Sequence, residues 1–236
     1  MRLGLPLLLL FVASAPALAQ EVMKSTPSPS PQLQAEAQQL VDLLRDANAA
    51  LAHGDTATAL VKVNAVLQAD PRSLAGYVMR GAIYSQLKQW DKAQGDYEAA
   101  NLINPHSPIV QFNLAEVHFA QKQYDAARPG FVELEANNKT DIGDLATYKV
   151  FLCDLFGGHQ DAAARDLESI DDVGANPSYY FAHAAWSLYH QKPEEARGWL
   201  KSANDIYSAQ KNGFYASSLF EMGYLPLPPP PAGANE

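Results

Sequence analysis

Residues 76–105 read GYVMRGAIYSQLKQWDKAQGDYEAANLINP and have the pattern of two amphipathic helices followed by a proline. Apolar residues recur every three or four positions in each half, and this spacing places them on one face of a helix. The polar residues Lys88 and Gln89 separate the two halves and indicate a turn. Pro105 ends the second half, because proline lacks the amide hydrogen that a continuing helix needs. The stretch is therefore predicted to form a helical hairpin.

The same pattern returns along the chain with a period of 34 residues. The residues that recur at this interval are Ala59, Ala93 and Ala127, together with Pro71 and Pro105. Two looser copies follow at intervals of 36 and 33, which indicates short insertions near residues 137–140 and 172–176. A single hairpin cannot bury its apolar face alone, so a repeat of this length predicts a stack of hairpins with a continuous core.

This arrangement resembles the tetratricopeptide repeat, whose pattern is an aromatic residue, then L-G-x2-Y, A-x3-F and P. The matching residues of the opening stretch are Tyr77, Gly81, Tyr84, Ala93, Tyr97, Ala100 and Pro105. The chain departs from the family at Arg80, where leucine is usual, and at Phe151, where a small residue is expected. The resemblance covers roughly residues 36–209. It implies an all-α, right-handed α-solenoid of about five helical hairpins with a C-terminal capping helix.

The sequence divides into one helical domain and three flanking segments. Residues 1–19 have the single basic residue, apolar run and small-x-small ending of a secretory signal peptide. Residues 20–31 form a Ser/Pro-rich linker, and residues 225–236 form a proline-rich tail that is expected to be disordered. The helical domain is predicted at residues 32–224. Its units lie near residues 40–73, 74–107, 108–143, 144–176 and 177–209, followed by a capping helix at 213–222.

The charge balance limits the kinds of partner. The chain has 17 Lys and Arg residues against 26 Asp and Glu residues, a net charge of −9. Without a basic stripe, neither nucleic acid nor an anionic membrane surface is an expected partner. Cleavage of the signal peptide predicts a periplasmic or secreted protein with no membrane insertion. The alternative, in which residues 1–19 are retained as an anchor, stays open.

No motif for catalysis, a metal or a cofactor is visible. The sequence lacks G-x-S-x-G, a Walker loop, a dinucleotide fingerprint and H-E-x-x-H. His183 and His190 are seven residues apart, whereas helical metal sites use closer spacing. Cys153 is the only cysteine and lies in an apolar run, where a thiol is expected to be buried and inert. The sequence therefore predicts a protein that is not an enzyme and that uses no cofactor and no metal.

By the resemblance, binding takes place on a concave face formed by the first helix of each hairpin. The residues predicted to bind a peptide there are Leu44, Asn48, Val78, Phe112, Glu116, Phe119, Tyr148, Leu152 and Phe181. Leu44 precedes Asn48 where carboxylate-binding members of the family have lysine, so capture of a C-terminal carboxylate is not expected. Three readings stay open for this apolar face: a partner's segment fills it, the protein fills it with its own chain, or these residues are core.

The resulting functional prediction is a non-catalytic, exported scaffold that binds a protein or peptide through an apolar groove. The alternative is a self-associating structural or assembly component, in which the groove or the end helix meets its copy in a homo-oligomer. An enzyme is the least favoured class, because no catalytic constellation is visible.

Overall fold

The structure, a computed structural model, describes residues 30–137, 141–170 and 176–225. These ranges contain eleven α-helices and no strand, so the expected all-α fold is confirmed. The helices are α1 Pro31–Ala52, α2 Thr56–Ala69, α3 Leu74–Gln86, α4 Trp90–Ile103, α5 Pro108–Ala120, α6 Tyr124–Asn137, α7 Asp141–Gly157, α8 Gln160–Ser169, α9 Ser178–Tyr189, α10 Pro193–Ile206 and α11 Ala209–Glu221. The predicted signal peptide, nearly all of the linker, most of both insertions and the tail beyond residue 225 lie outside the described residues.

Successive helices pair into hairpins. The pairs α1 and α2, α3 and α4, α7 and α8, and α9 and α10 pack side by side. In the remaining pair, the rings of Phe112 on α5 and Phe131 on α6 meet edge to face at 5.4 Å. The chain forms two compact units: the first contains α1 to α4, and the second begins at Gln111 within α5 and continues through α11.

The five turns inside the hairpins share one geometry. Each has one residue at positive φ: Gly54 (77°), Lys88 (55°), Lys122 (62°), Gly158 (86°) and Gln191 (59°). The amide of that residue donates to the carbonyl three residues back, and the next amide donates to the carbonyl five residues back. This is the Schellman arrangement that closes a helix C-terminus. The turns recur at the intervals of 34, 34, 36 and 33 residues found in the sequence.

Small and large residues interlock within the hairpin of α3 and α4. Gly81 lies against the ring of the fully buried Tyr97, and a Cβ atom at Gly81 would come within 2.7 Å of that ring. Arg80, which departs from the repeat pattern, also has hydrogen-bond partners. Its guanidinium donates to both carboxylate oxygens of Asp96 at 2.8 and 2.7 Å and to Asn64 at 2.9 Å. A paired arginine thus occupies the place that leucine has in the family.

Two helix boundaries differ from the prediction. Helix α1 begins at Pro31, inside the predicted linker, because the hydroxyl of Ser30 accepts from the amide of Leu33 and caps the helix. Helix α11 begins at Ala209 instead of residue 213, because the hydroxyl of Ser208 caps it in the same way.

Candidate functional site

The structure buries most of the residues predicted to bind a peptide. Leu44 and Asn48 are half-buried. The other seven are at most 4% exposed: Val78, Phe112, Glu116, Phe119, Tyr148, Leu152 and Phe181. Their contact with a partner stays a prediction, but in this conformation they do not form an open surface.

Helix α11 covers two of the predicted binding positions of the second unit, Tyr148 and Phe181. The ring of Tyr215 lies 5.4 Å from that of Tyr148 on α7 and 5.8 Å from that of Phe181 on α9. Leu219, one turn further along α11, is fully buried. In this unit the chain itself therefore occupies the apolar face, and it does so with the capping helix. The sequence pattern predicts that helix over the end of the stack, and it does not single out Tyr215.

Glu116, another predicted binding residue, forms a buried ion pair with Lys149. Lys149 Nζ lies 2.6 Å from Glu116 Oε1, and both side chains are at most 4% exposed. The ammonium group also lies 4.2 Å from the centre of the Phe119 ring, a favourable cation–π contact. Glu116 therefore balances a buried charge of its own protein. The sequence analysis did not predict this role of Lys149. A single lysine in the apolar run TYKVFLC does indicate a buried cation, which requires an anionic partner.

A second charged cluster joins three helices of this unit. Arg128 Nε on α6 donates to the two carboxylate oxygens of Asp154 on α7 at 2.9 and 2.8 Å. Asp166 on α8 faces the same pair. Burial, reinforced by the neighbouring Asp154, raises the pKa of Asp166 to about 6. A carboxyl that keeps its proton up to that pH avoids repulsion from Asp154.

The thiol of Cys153 is buried, as expected. Burial raises the pKa of Cys153 to about 12, so almost no reactive thiolate is present at neutral pH. Within the described residues, no group of three or more His, Cys, Asp and Glu side chains could hold a metal ion. His183 packs instead against Trp199, with ring centres 4.5 Å apart, and burial lowers its pKa.

The accessible part of the predicted site lies on α1, in the first unit. Leu44 packs at the edge of a buried cluster that contains Ala47 and Val63, and part of its side chain stays in solvent. One turn further along, the Oδ1 atom of Asn48 is buried and has no hydrogen-bond partner among the described residues. A buried acceptor without a donor costs about 1–3 kcal/mol. A ligand that supplies an N–H group to this side chain, after a rotation that brings Oδ1 to the surface, would recover that energy.

An aromatic surface lies on the last hairpin. Tyr179, His183 and Trp199 are half-buried, with ring centres 4.5 to 5.8 Å apart. This edge-to-face and stacked arrangement is typical of packed aromatic groups.

Among the described residues, no helix is long and apolar enough to cross a membrane.

Comparison with known proteins points to one class of fold. No protein-family model matches the chain. Human tetratricopeptide repeat protein 28 is 38% identical over 74 residues, a stretch that covers 31% of this chain and 3% of that protein. The similarity therefore concerns a few repeats of a far longer relative.

Solved structures extend the likeness to most of the chain. PilF from Pseudomonas aeruginosa has a TM-score of 0.60 at 15% identity, covering 80% of this chain and 88% of that one. YrrB, described as a TPR protein with an unusual peptide-binding site, has a TM-score of 0.50 at 20% identity, covering 75% and 91%. The chain therefore has the tetratricopeptide-repeat fold, an architecture typical of scaffolds for protein–protein interaction.

Proposed function

We propose that this protein is an exported, non-catalytic scaffold that binds a protein or peptide. Helical-repeat proteins use extended surfaces built from successive hairpins to bind other chains. The peptide-binding site described for YrrB supports this class of ligand, because that protein has the same fold. The acidic composition disfavours nucleic acid as the partner, and the absence of recognisable catalytic motifs from the sequence favours a binding role.

The observation that carries the proposal is the pair of residues on α1. Leu44 offers a partly exposed apolar contact, and the buried Oδ1 atom of Asn48 has no donor among the described residues. An extended peptide presents both matching groups, a backbone N–H and an apolar side chain, at short intervals. The proposed ligand therefore donates a backbone hydrogen bond to Asn48 and packs a side chain on Leu44.

Selection from a random peptide library on the immobilised full chain tests this site. We expect the selected peptides to bind the variants Asn48→Ala and Leu44→Ala each at least about tenfold more weakly. Asn48→Ala removes the acceptor of one hydrogen bond, and Leu44→Ala removes the apolar contact. Leu33→Ala is the matched control, because Leu33 lies on the same helix and is 56% exposed. Equal affinity for all three variants would contradict the α1 site.

Export is a separate part of the proposal. The full chain, expressed in a bacterium, is expected in the periplasmic or extracellular fraction with its N-terminus near residue 20. Leu9→Arg, which places a charge in the apolar run, should keep the unprocessed chain in the cytoplasm. A membrane fraction with an intact N-terminus would favour the anchor alternative. Unprocessed wild-type protein in the cytoplasm would count against export altogether.

Self-association is the second candidate, and the aromatic surface of Tyr179, His183 and Trp199 favours it. Half-exposed aromatic side chains are enriched where protein surfaces meet. Light scattering across a concentration series should show a dimer that Tyr179→Ser shifts toward monomer. A monomer at every concentration would exclude this candidate.

A further inference from the structure

We propose that the proline-rich segment beginning at Pro226 binds in cis to an aromatic surface of the second unit. This surface, called the aromatic ladder here, consists of Tyr224, Phe156, Tyr189, His190 and Trp186. The inference goes beyond the proposed function, because it concerns an internal ligand and a different surface from that of α1.

The rings of the ladder follow one another at contact distance. Phe156 on α7 lies 6.4 Å from Tyr189 at the end of α9, and Tyr189 lies 5.3 Å from His190. Trp186 lies 4.3 Å from His190, measured between ring centres. Phe156, Tyr189 and Trp186 are half-buried and His190 is exposed, so the ladder presents ring area to solvent.

The described chain ends beside this ladder. Gly223 has a φ of 77° and reverses the chain after α11, and the amides of Tyr224 and Leu225 both donate to the carbonyl of Leu219 at 2.9 and 3.3 Å. Tyr224 then stacks on Phe156 with ring centres 5.7 Å apart and planes 16° from parallel. Pro226 is therefore attached two residues after a ring that already belongs to the ladder.

The chemistry of the segment matches that of the ladder. The sequence after Leu225 is PLPPPPAGANE, and prolines of this kind favour a polyproline II helix, which docks on aromatic surfaces at little entropic cost. That helix rises about 3.1 Å per residue, so the first four residues span roughly 12 Å. This length suffices to cover the 6.4 Å from Phe156 to Tyr189 and the further 5.3 Å from Tyr189 to His190.

The polar groups at the surface also fit a segment rich in acceptors. Gln160 Nε2 donates to the hydroxyl oxygen of Tyr189 at 3.5 Å, which leaves the phenolic hydrogen available to a proline-segment carbonyl. The His190 Nδ1 atom pairs with the carbonyl of Trp186 at 2.9 Å, and this contact fixes the ring. The carbonyls of a polyproline II backbone have no internal hydrogen bonds. The Tyr189 hydroxyl, which lies between the rings of Phe156 and His190, can therefore donate to one of them.

Titration with the synthetic peptide PLPPPPAGANE tests the inference. Calorimetry should show binding to a chain that ends at Leu225, and at least about tenfold weaker binding to the full chain, because a tethered segment competes at high effective concentration. Circular dichroism first checks that the shortened chain keeps its helices. A full chain with Pro226, Pro228 and Pro229 replaced by glycine provides a second, untruncated receptor and should behave like the shortened one.

Two comparisons decide the outcome. Tyr189→Ala in the shortened chain should lower the affinity for the peptide by at least about tenfold. Ile206→Ala, at a residue of α10 that is 52% exposed and lies outside the ladder, should leave it unchanged. Equal binding by the full and shortened chains, no binding by either, or no loss in Tyr189→Ala would each overturn the proposal. None of these results bears on Leu44 or Asn48, so the α1 site is tested independently.

Discussion

At the scale of single residues, the fold depends on a few positions with strict steric requirements. Each hairpin turn needs one residue at positive φ, which glycine adopts without strain. The chain places glycine at only two of the five turns inside hairpins, Gly54 and Gly158. The others are held by neighbouring hydrogen bonds despite an unfavourable residue type. The repeat is therefore encoded by backbone geometry as well as by apolar spacing.

The lysines at two of these turns offer a stabilising change. Lys88 and Lys122 are exposed and adopt φ values of 55° and 62°. Lys88→Gly and Lys122→Gly should each raise the free energy of unfolding by about 0.5–1 kcal/mol, because glycine relieves the strain. Urea unfolding measures the change. Lys92→Gly, inside α4, is the control and should destabilise instead.

At Gly81 we expect the opposite effect, because replacing this glycine should destabilise the protein. A methyl group at this position would meet the Tyr97 ring at 2.7 Å, and that ring is fully buried. Gly81→Ala should therefore lower the free energy of unfolding by about 1–3 kcal/mol, although alanine is the better helix former. Gly95→Ala on α4, where nothing lies within 4 Å of the added Cβ, should be neutral or stabilising. Thermal unfolding that ranks the two variants the other way would contradict this packing.

At the scale of helices, α11 decides what the second unit presents. The helix lies against α7, α9 and α10, with Tyr215 on the rings of Tyr148 and Phe181. Tyr148 on α7 and Phe181 on α9 thus have an internal partner. A ligand that reached these positions would have to displace α11, at the cost of the apolar area that the helix buries.

Leu219→Ala tests the docking of α11. The side chain is fully buried, so its truncation should lower the free energy of unfolding by about 2–5 kcal/mol. Hydrogen exchange should also become faster in α11 and in the parts of α7 and α9 that it covers. Ile206→Ala is the matched control, since Ile206 is 52% exposed and should change little. Unchanged exchange in α7 and α9 would show that α11 does not protect them.

At the scale of the whole molecule, acidic groups make the stability depend on pH. The Asp166 pKa of about 6 lies above its ordinary value of 3.8, so the folded state binds this proton more tightly than the unfolded state. The stability from this group is fully present below about pH 4 and is lost as pH rises through about 6. The groups that face Asp166 are Asp154, Arg128 and Glu135.

Asp166→Asn should therefore remove part of this pH dependence. At pH 7.5 the variant should be more stable than the wild type by about 1 kcal/mol, a figure reduced because much of the side chain stays in contact with water. Near pH 4 the two should be nearly equal. Urea unfolding between pH 4 and 8 measures the difference, with the exposed Asp161→Asn as control. A gain in stability that did not depend on pH would rule out this titration as the cause.

The sequence by itself determined the hairpin period, the positions of the five turns and the small and large residues that interlock at Gly81 and Tyr97. These features follow from local steric rules and from helical spacing, both of which depend on residues close together in the sequence. Only the tertiary structure decided that Tyr215 covers Tyr148, that Lys149 neutralises Glu116 and that Leu44 and Asn48 are only half-buried. Helical spacing shows which side of a helix is apolar, but the chain segment that covers it is chosen by long-range packing.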